Sequence, residues 1–263
     1  MRLVARLFVT GLGGYLGGEL GRRAQTAGWE VSGIAGSAEL DVRDAAAVRA
    51  AVAGARPDVI IHTAYRMDDA SVNVDGTRAV VAAAAAAGAR LVHLSTDLVF
   101  AGDVARPLTE DDEPRPVTAY GASKLEAERL CPRAALIVRT SLLYGGARPS
   151  RHETAAIEAA DGTRDMTFFT DEVRCPIAVG DLAAALLELA AIDVAGLLHV
   201  AGPDAVTRLE FARLVAAHHG RDPDALRGGP GGPERPKQIA LDSSRACALL
   251  RVAPRGAREV LAA

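Results

Sequence analysis

Residues 119–128 read AYGASKLEAE, and two of them carry usable chemistry. Tyr120 and Lys124 stand four apart in a stretch that reads as the start of a helix, so both side chains would leave one face. A phenol ordinarily holds its proton up to about pH 10. A cation beside it lowers that value, which suits the pair to proton transfer near neutrality. A surface tyrosine beside a surface lysine would show the same spacing, so the rest of the chain must decide between the two.

A second constellation lies near the N-terminus. RLFVT, residues 6–10, is short and β-rich, and TGLGGYLG follows it. Gly11, Gly14 and Gly17 form G-x-x-G-x-x-G between a first strand and a first helix. Glycine there permits a tight turn and lets the backbone come close to a pyrophosphate, while the helix aims its positive end at the phosphates. The motif therefore predicts a dinucleotide site. The second strand ends GIAGS, with Ala35 where an acid would meet the ribose 2′-OH of NAD. That absence, and Ser37 nearby, tip the expected cofactor from NAD toward NADP. Asp41 in LDVRD reads either as an adenine contact or as a charge at a helix start.

These residues need elements to hold them. Strand-like runs at 29–34, 58–63, 90–95 and 135–141 alternate with helical runs at 14–28, 43–54, 71–88 and 118–131. Such alternation implies an α/β fold with a doubly wound parallel sheet, and runs such as VII and LIV are those of strands buried on both faces. The second half is less regular. It offers strands at 166–170 and 196–202, helices at 181–192 and 207–220, a Gly/Pro-rich loop at 228–238, and short helices at 243–250 and 257–263. Thr207 and Glu210 have capping-box spacing. The expected organisation is a nucleotide-binding domain over 1–165. Residues 166–263 would complete the sheet and form a small C-terminal lobe.

Composition narrows the class. A chain of 263 residues, 49% apolar and 24% charged, can bury a sizeable core. A formal charge of −3 gives no basic surface for nucleic acid. Cys131, Cys175 and Cys247 lie far apart, which suggests neither a zinc site nor a disulfide framework. The run MRLVARLFVTGLGG is read as a first strand rather than a signal peptide, and no run is long enough to span a bilayer. A cytoplasmic setting is expected. HETAA, residues 152–156, begins like a zinc-protease helix but has Ala156 in place of the second histidine. His218 and His219 read as helix-end charges, and His62 as a packed residue at a strand end.

The ordered set of a glycine loop, HLSTDLVF, Tyr120-x-x-x-Lys124 and RTSLLYG resembles the extended short-chain dehydrogenase/reductase family. Within it, STDLVFAGD, YGASKLEAE, VNVDGT and LDSSRACALL are similar to the dTDP-4-dehydrorhamnose reductase branch. The resemblance implies a Rossmann domain with a small substrate lobe, and a catalytic triad of Thr96, Tyr120 and Lys124. Tyr120 would protonate the oxygen of a sugar ketone as hydride arrives from the nicotinamide. Lys124 would lower the tyrosine pKa and hold the nicotinamide ribose, and Thr96 would orient the carbonyl, with Ser95 able to share that role. The cofactor contacts implied are Gly11, Gly14, Tyr15, Leu16, Gly17, Asp41, Val42, Thr63, Ala64, Tyr65 and Ser95, besides Tyr120 and Lys124. Asp97 and Arg174 are expected at the substrate, Arg174 as a bidentate partner for a diphosphate or else as a surface salt bridge.

The expected activity is NAD(P)H-dependent reduction of a nucleotide-linked 4-keto-6-deoxysugar. No metal, nucleic-acid or membrane partner is expected, and a homodimer is. Leu98, where a tyrosine is common, and the short region 148–165 leave a different deoxysugar or a non-sugar carbonyl open. Two other functions share the scaffold. One is a nucleotide-sugar epimerase or dehydratase, although dehydratases tend to carry an acid at the place of Leu98. The other is a non-catalytic cofactor-binding subunit such as the regulatory beta subunit of methionine adenosyltransferase.

Overall fold

Apolar strands that must be covered on both faces require a helix after each one, and the chain supplies them in that order. The computed structural model describes residues 5–262. Residues 1–4 of the run read as the first strand, and Ala263 of the last expected helix, lie outside them. The strands are β1 (Arg6–Thr10), β2 (Glu30–Ile34), β3 (Val59–His62), β4 (Arg90–Thr96), β5 (Leu136–Thr140), β6 (Leu143–Tyr144), β7 (Thr167–Phe169), β8 (Val173–Arg174), β9 (Ile177–Ala178), β10 (Gly196–His199), β11 (Val206–Thr207) and β12 (Arg227–Gly229). The helices are α1 (Tyr15–Thr26), α2 (Ala45–Ala55), α3 (Ala70–Ala87), α4 (Ala119–Leu130), α5 (Arg151–Ala160), α6 (Val179–Ala191), α7 (Arg208–His218), α8 (Ser244–Cys247) and α9 (Ala257–Ala262).

The chain divides into two compact units, each discontinuous in sequence. The first comprises the residues up to Thr96, Ala119–Arg139 and Leu186–Leu198. The second comprises Asp97–Thr118, Thr140–Ala185 and the residues from His199 onward, so position 165 falls inside it.

The first unit is built on a six-stranded parallel sheet in the order β10-β5-β4-β3-β1-β2. The order reverses at β1, where one crossover leads to β2 and the next to β3. In open α/β sheets a ligand binds outside the carboxyl ends of the strands at such a switch point. The register is continuous across it: Thr10 pairs with His62, and His62 with His93. Phe8, Ile34, Val48, Ile60, Val80 and Leu91 form a core between the sheet and helices α2 and α3. Asp44 caps α2 by accepting from Ala46 N and Ala47 N, and Gly88 closes α3 at φ +64°.

In the second unit the described strands pair in twos: β11 with β8, β12 with β7, and β6 with β9. Its core gathers Tyr144, Phe168, Phe211, Val215 and Leu261. Helix α5 falls in a region the sequence reading left unassigned. Ser150 Oγ accepts from Glu153 N, and Glu153 accepts in return from Ser150 N at 2.7 Å, a full capping box. Among the described residues no helix is long and apolar enough to cross a membrane, and no group of side chains could hold a metal ion.

Candidate active site

The glycine turn is built for close approach. Gly11 adopts φ +76°, and a Cβ there would lie 3.0 Å from Thr63 Oγ1 and 3.1 Å from Ala64 N. A Cβ on Gly17 would sit 2.0 Å from Gly11 O, far inside any real contact. The start of α1 can therefore fold back on the turn only with glycine at both positions. Gly14 is the N-cap, no side chain caps the helix start, and no acid stands in its first turn. The positive end of α1 thus faces the turn without a competing carboxylate, an arrangement that fits a pyrophosphate. Leu16 is core, at 8% exposure, and Tyr15 beside it is partly buried.

The end of β2 differs from the sequence reading. The turn after β2 folds back through Glu39 N→Gly36 O, and Glu39 Oε2 then accepts from Ala35 N at 2.8 Å. An acid therefore stands at the end of β2 after all, delivered by a turn rather than by strand position. Asp41 is engaged by Arg43, whose guanidinium and backbone N–H both donate to it and hold its carboxyl down at about 2. Val42 is buried, and its side chain packs where a Cβ on Gly76 would stand.

After β3, Thr63 Oγ1 donates to Thr10 O at 2.7 Å, and Ala64 N donates to Thr10 Oγ1. Tyr65 is 48% exposed, its ring 5.8 Å from that of Tyr120. His62 is packed as expected, between Thr10 Oγ1 at 2.6 Å and Thr77 Oγ1 at 3.0 Å. Burial, and then the charge of Lys124, push its pKa down to about 3.

Helix α4 carries Tyr120 and Lys124, and Ser123 between them explains how it is held. Ser123 Oγ donates to Tyr120 O at 2.8 Å and accepts from Asn73 Nδ2 at 2.9 Å. Asn73, 1% exposed on α3, also exchanges two hydrogen bonds with the backbone of Arg66. One buried amide thus ties the loop after β3 to the first turn of α4. The sequence reading quoted Asn73 in VNVDGT without giving it a role; an asparagine inside an otherwise apolar helical face was the available signal.

Lys124 is 3% exposed. Burial lowers its pKa to about 8, partly offset by the charge of Glu128. Its Nζ lies 3.5 Å from His93 Nε2. Glu128 is itself bound by Arg139, which donates through Nε at 2.9 Å and Nη2 at 2.7 Å. Ser95 Oγ donates to the same carboxylate. The Ser95 hydroxyl is thus committed to Glu128, and Thr96, the last residue of β4, is 8% exposed.

In the second unit, Asp97 is buried and accepts from Ser141 Oγ at 2.7 Å. Arg174 is not a surface ion-pair residue. It is 3% exposed and donates to Pro236 O at 2.9 Å and Val173 O at 2.7 Å, with Asp97 at 3.8 Å and Glu172 at 3.7 Å. Its bonds fix the strand pair and the 236–237 backbone. Other guanidinium groups gather here as well. Arg208 Nη2 meets His152 Nδ1 at 3.1 Å. Burial, and then the like charges of Arg174, Arg151 and Arg235, press the pKa of Arg208 down to about 10. Arg235 pairs with Glu172 and lies 4.4 Å over the ring of Phe169. Positive charge is in excess, which favours an anionic ligand. No spacing in the sequence marked this cluster, because its members come from three separate segments.

The whole described chain matches one family model: residues 5–263 fit the RmlD substrate binding domain. The chain belongs to the RmlD family. This RmlD-family chain is 34% identical to the dTDP-4-dehydrorhamnose reductase of Mycolicibacterium smegmatis, over 92% of its own length and 80% of the relative's. It is also 34% identical to the dTDP-4-dehydrorhamnose reductase of Streptomyces griseus, over 91% and 86%. A crystal structure of the Bacillus anthracis dTDP-4-dehydrorhamnose reductase in complex with NADP superposes with a TM-score of 0.87 at 26% identity, covering 99% of this chain and 98% of that one. The Rossmann-type sheet of this RmlD-family member is thus the one its sequence predicted.

Proposed function

We propose that the chain is an NAD(P)H-dependent reductase of a nucleotide-linked 4-keto-6-deoxysugar. The observation that carries the reading is Lys124, buried on the same face of α4 as Tyr120 in the unit that also bears the glycine turn. A lysine held nine-tenths buried, with its pKa drawn down toward neutrality, is a costly arrangement that points to a task. The family and the named reductases among its members support the same reaction.

NAD(P)H, held at the glycine turn and the start of α1, supplies the hydride. Tyr120 then gives its phenolic proton to the carbonyl oxygen, so that the ketone gains one hydride and one proton to become an alcohol. Lys124 stabilises the resulting phenolate by its charge, and its ammonium also suits a ribose hydroxyl. Thr96 donates to the same carbonyl oxygen and orients it, a contribution that grows as negative charge develops there. In the second unit, Arg208 and Arg151 are the residues we assign to a diphosphate, Arg208 by its charge and fork geometry. Arg174 acts by fixing their surroundings.

The test is consumption of NADPH or NADH with dTDP-4-keto-6-deoxyglucose, supplied alone and after a 3,5-epimerase. Turnover is expected, and Tyr120→Phe should lower kcat by about 10²–10⁴ while cofactor binding stays within about twofold. Unchanged turnover in that variant removes Tyr120 as the donor. Tight cofactor binding with no consumption would favour the epimerase or the regulatory subunit.

A further inference from the structure

We propose that His93 is a positioning residue for Lys124, the inner end of a buried polar row, Thr10–His62–His93, that crosses three strands of the sheet. The inference rests on the catalytic reading of Tyr120 and Lys124 and adds a residue to it. Thr10, His62 and His93 are successive register partners on β1, β3 and β4, so they stand side by side. Helix α4 packs against β4, and Lys124 meets the row at His93 Nε2, 3.5 Å away. The row begins one residue before the glycine turn and ends at the lysine.

Hydrogen bookkeeping fixes the tautomers. Thr77 Oγ1 donates its one proton to Asn73 O at 2.6 Å, so toward His62 it can only accept. His62 Nε2 therefore carries a proton, and Nδ1 accepts from Thr10 Oγ1. Both nitrogens of His62 are committed, and it has nothing left for Lys124. His93 packs 5.3 Å from the His62 ring, and its Nδ1 has no hydrogen-bond partner among the described residues. An ammonium at Lys124 needs an acceptor, so Nε2 of His93 must be bare and its proton must sit on Nδ1. The two neighbouring histidines are thus opposite tautomers. An unpaired buried N–H is costly, and here it is tolerated where it leaves Nε2 turned to the lysine.

The other groups around Lys124 are accounted for. Glu128, one turn along α4, is neutralised by Arg139 from β5 and bonded by Ser95. Cys131 follows the helix as a thiol pushed up to about 12, chiefly by burial. From α3, Asn73 and Thr77 bring no charge, and Asp75 and Arg78 pair with each other on the exposed side. Tyr120 lies one turn back. His93 is therefore the neutral acceptor that holds the ammonium in place without cancelling its charge.

Two measurements test this. In the full chain without substrate, histidine-selective ¹⁵N spectra should show His93 as the Nδ1–H tautomer and His62 as the Nε2–H tautomer, assigned through His93→Gln, with the His93 Nε2 signal moving in Lys124→Met. His93 as the Nε2–H tautomer, or a signal indifferent to Lys124→Met, overturns the proposal, and this arm stands even if no sugar is reduced. In turnover, the alkaline limb of the pH profile marks loss of the first proton from the Tyr120–Lys124 pair. With the acceptor removed in His93→Leu, that limb should move about one pH unit toward acid, roughly the worth of a hydrogen bond to a charged group. His93→Gln, whose side-chain oxygen can accept, should bring it most of the way back. A His93→Leu profile superimposable on wild type would reduce His93 to a packing residue.

Discussion

Replacing Lys124 with methionine should make the protein more stable while it destroys activity. Burial lowers the lysine pKa from 10.5 to about 8. A difference of about 2.5 units, at about 1.36 kcal/mol each, is a penalty of about 3 kcal/mol for holding the charged form in the folded chain. The sign follows from proton counting. Between pH 8 and 10.5 the unfolded chain binds more protons than the folded one, so stability rises with pH through that window. Below pH 8 the full penalty is present, and above 10.5 it is gone. Methionine fills nearly the same volume and removes the penalty, but it leaves His93 Nε2 without its neighbour, at a cost of about 1–2 kcal/mol. The net gain at pH 7 is about 1–2 kcal/mol, or about 2–8 °C in Tm for a protein near this size. Thermal melts of both proteins without nucleotide, from pH 6.5 to 10.5, read it directly. The gap should close, and then reverse, as the pH rises. A methionine variant that melts below wild type at pH 7, by an amount that does not change with pH, would refute the reasoning, because it would mean that the ammonium is already compensated inside the fold.

The glycine turn and the acid beside it give two further expectations. Gly17→Ala places a methyl carbon 2.0 Å from Gly11 O, so the turn and α1 must part; NADPH affinity measured by titration should fall about a hundredfold, and the melting temperature without nucleotide should fall as well, because the atom in the way is backbone. Glu39→Gln keeps a side chain that can still reach Ala35 N but removes a charge that opposes a 2′-phosphate. The ratio of NADPH to NADH affinity should rise about tenfold in that variant, the effect of roughly 1.4 kcal/mol of repulsion, and an unchanged ratio would mean that Glu39 does not face the adenosine ribose.

Most of the first 140 residues were legible because the central strands are short apolar runs and several helix ends carry local signals, although α2 runs past Gly54 and ends at Arg56 in the left-handed region. Asp44 caps α2 and Gly88 ends α3, as their residue types predict. That Tyr120 and Lys124 share one helix followed from the local pattern, whereas their catalytic role came only from the resemblance of the ordered motifs to a known family. What stayed hidden depends on chain reversal or on distant segments. Glu39 reaches the end of β2 only because residues 36–39 form a turn. Arg174 read equally as a diphosphate partner or a surface salt bridge, and nothing in TDEVRCP shows that the 236–237 carbonyls will close over it. Helix α5 announces its start in Ser150-x-x-Glu153, but its body, RHETAAIEAA, has only Ile157 as a large apolar residue and so shows little helical period. Thr207 caps α7 through Glu210 N, but the Glu210 carboxylate accepts from Arg258, so only half of the box that the spacing suggested is formed.

The threading of the sheet bears on how the protein must be made. Strands β1 to β4 are complete by Thr96 and β5 by Thr140, but β10, which pairs with β5, does not begin until Gly196. On a ribosome adding about 5–20 residues per second, the free edge of β5 waits roughly 3–11 s for its neighbour. An unpaired edge strand is an invitation to other chains. No single cut separates the two units either, because the chain passes from one to the other after Thr96, Thr118, Arg139, Ala185 and Leu198. A shortened form of the protein ending anywhere before β10 would therefore carry that open edge permanently, and its failure in the cell would be a matter of aggregation before it was one of catalysis.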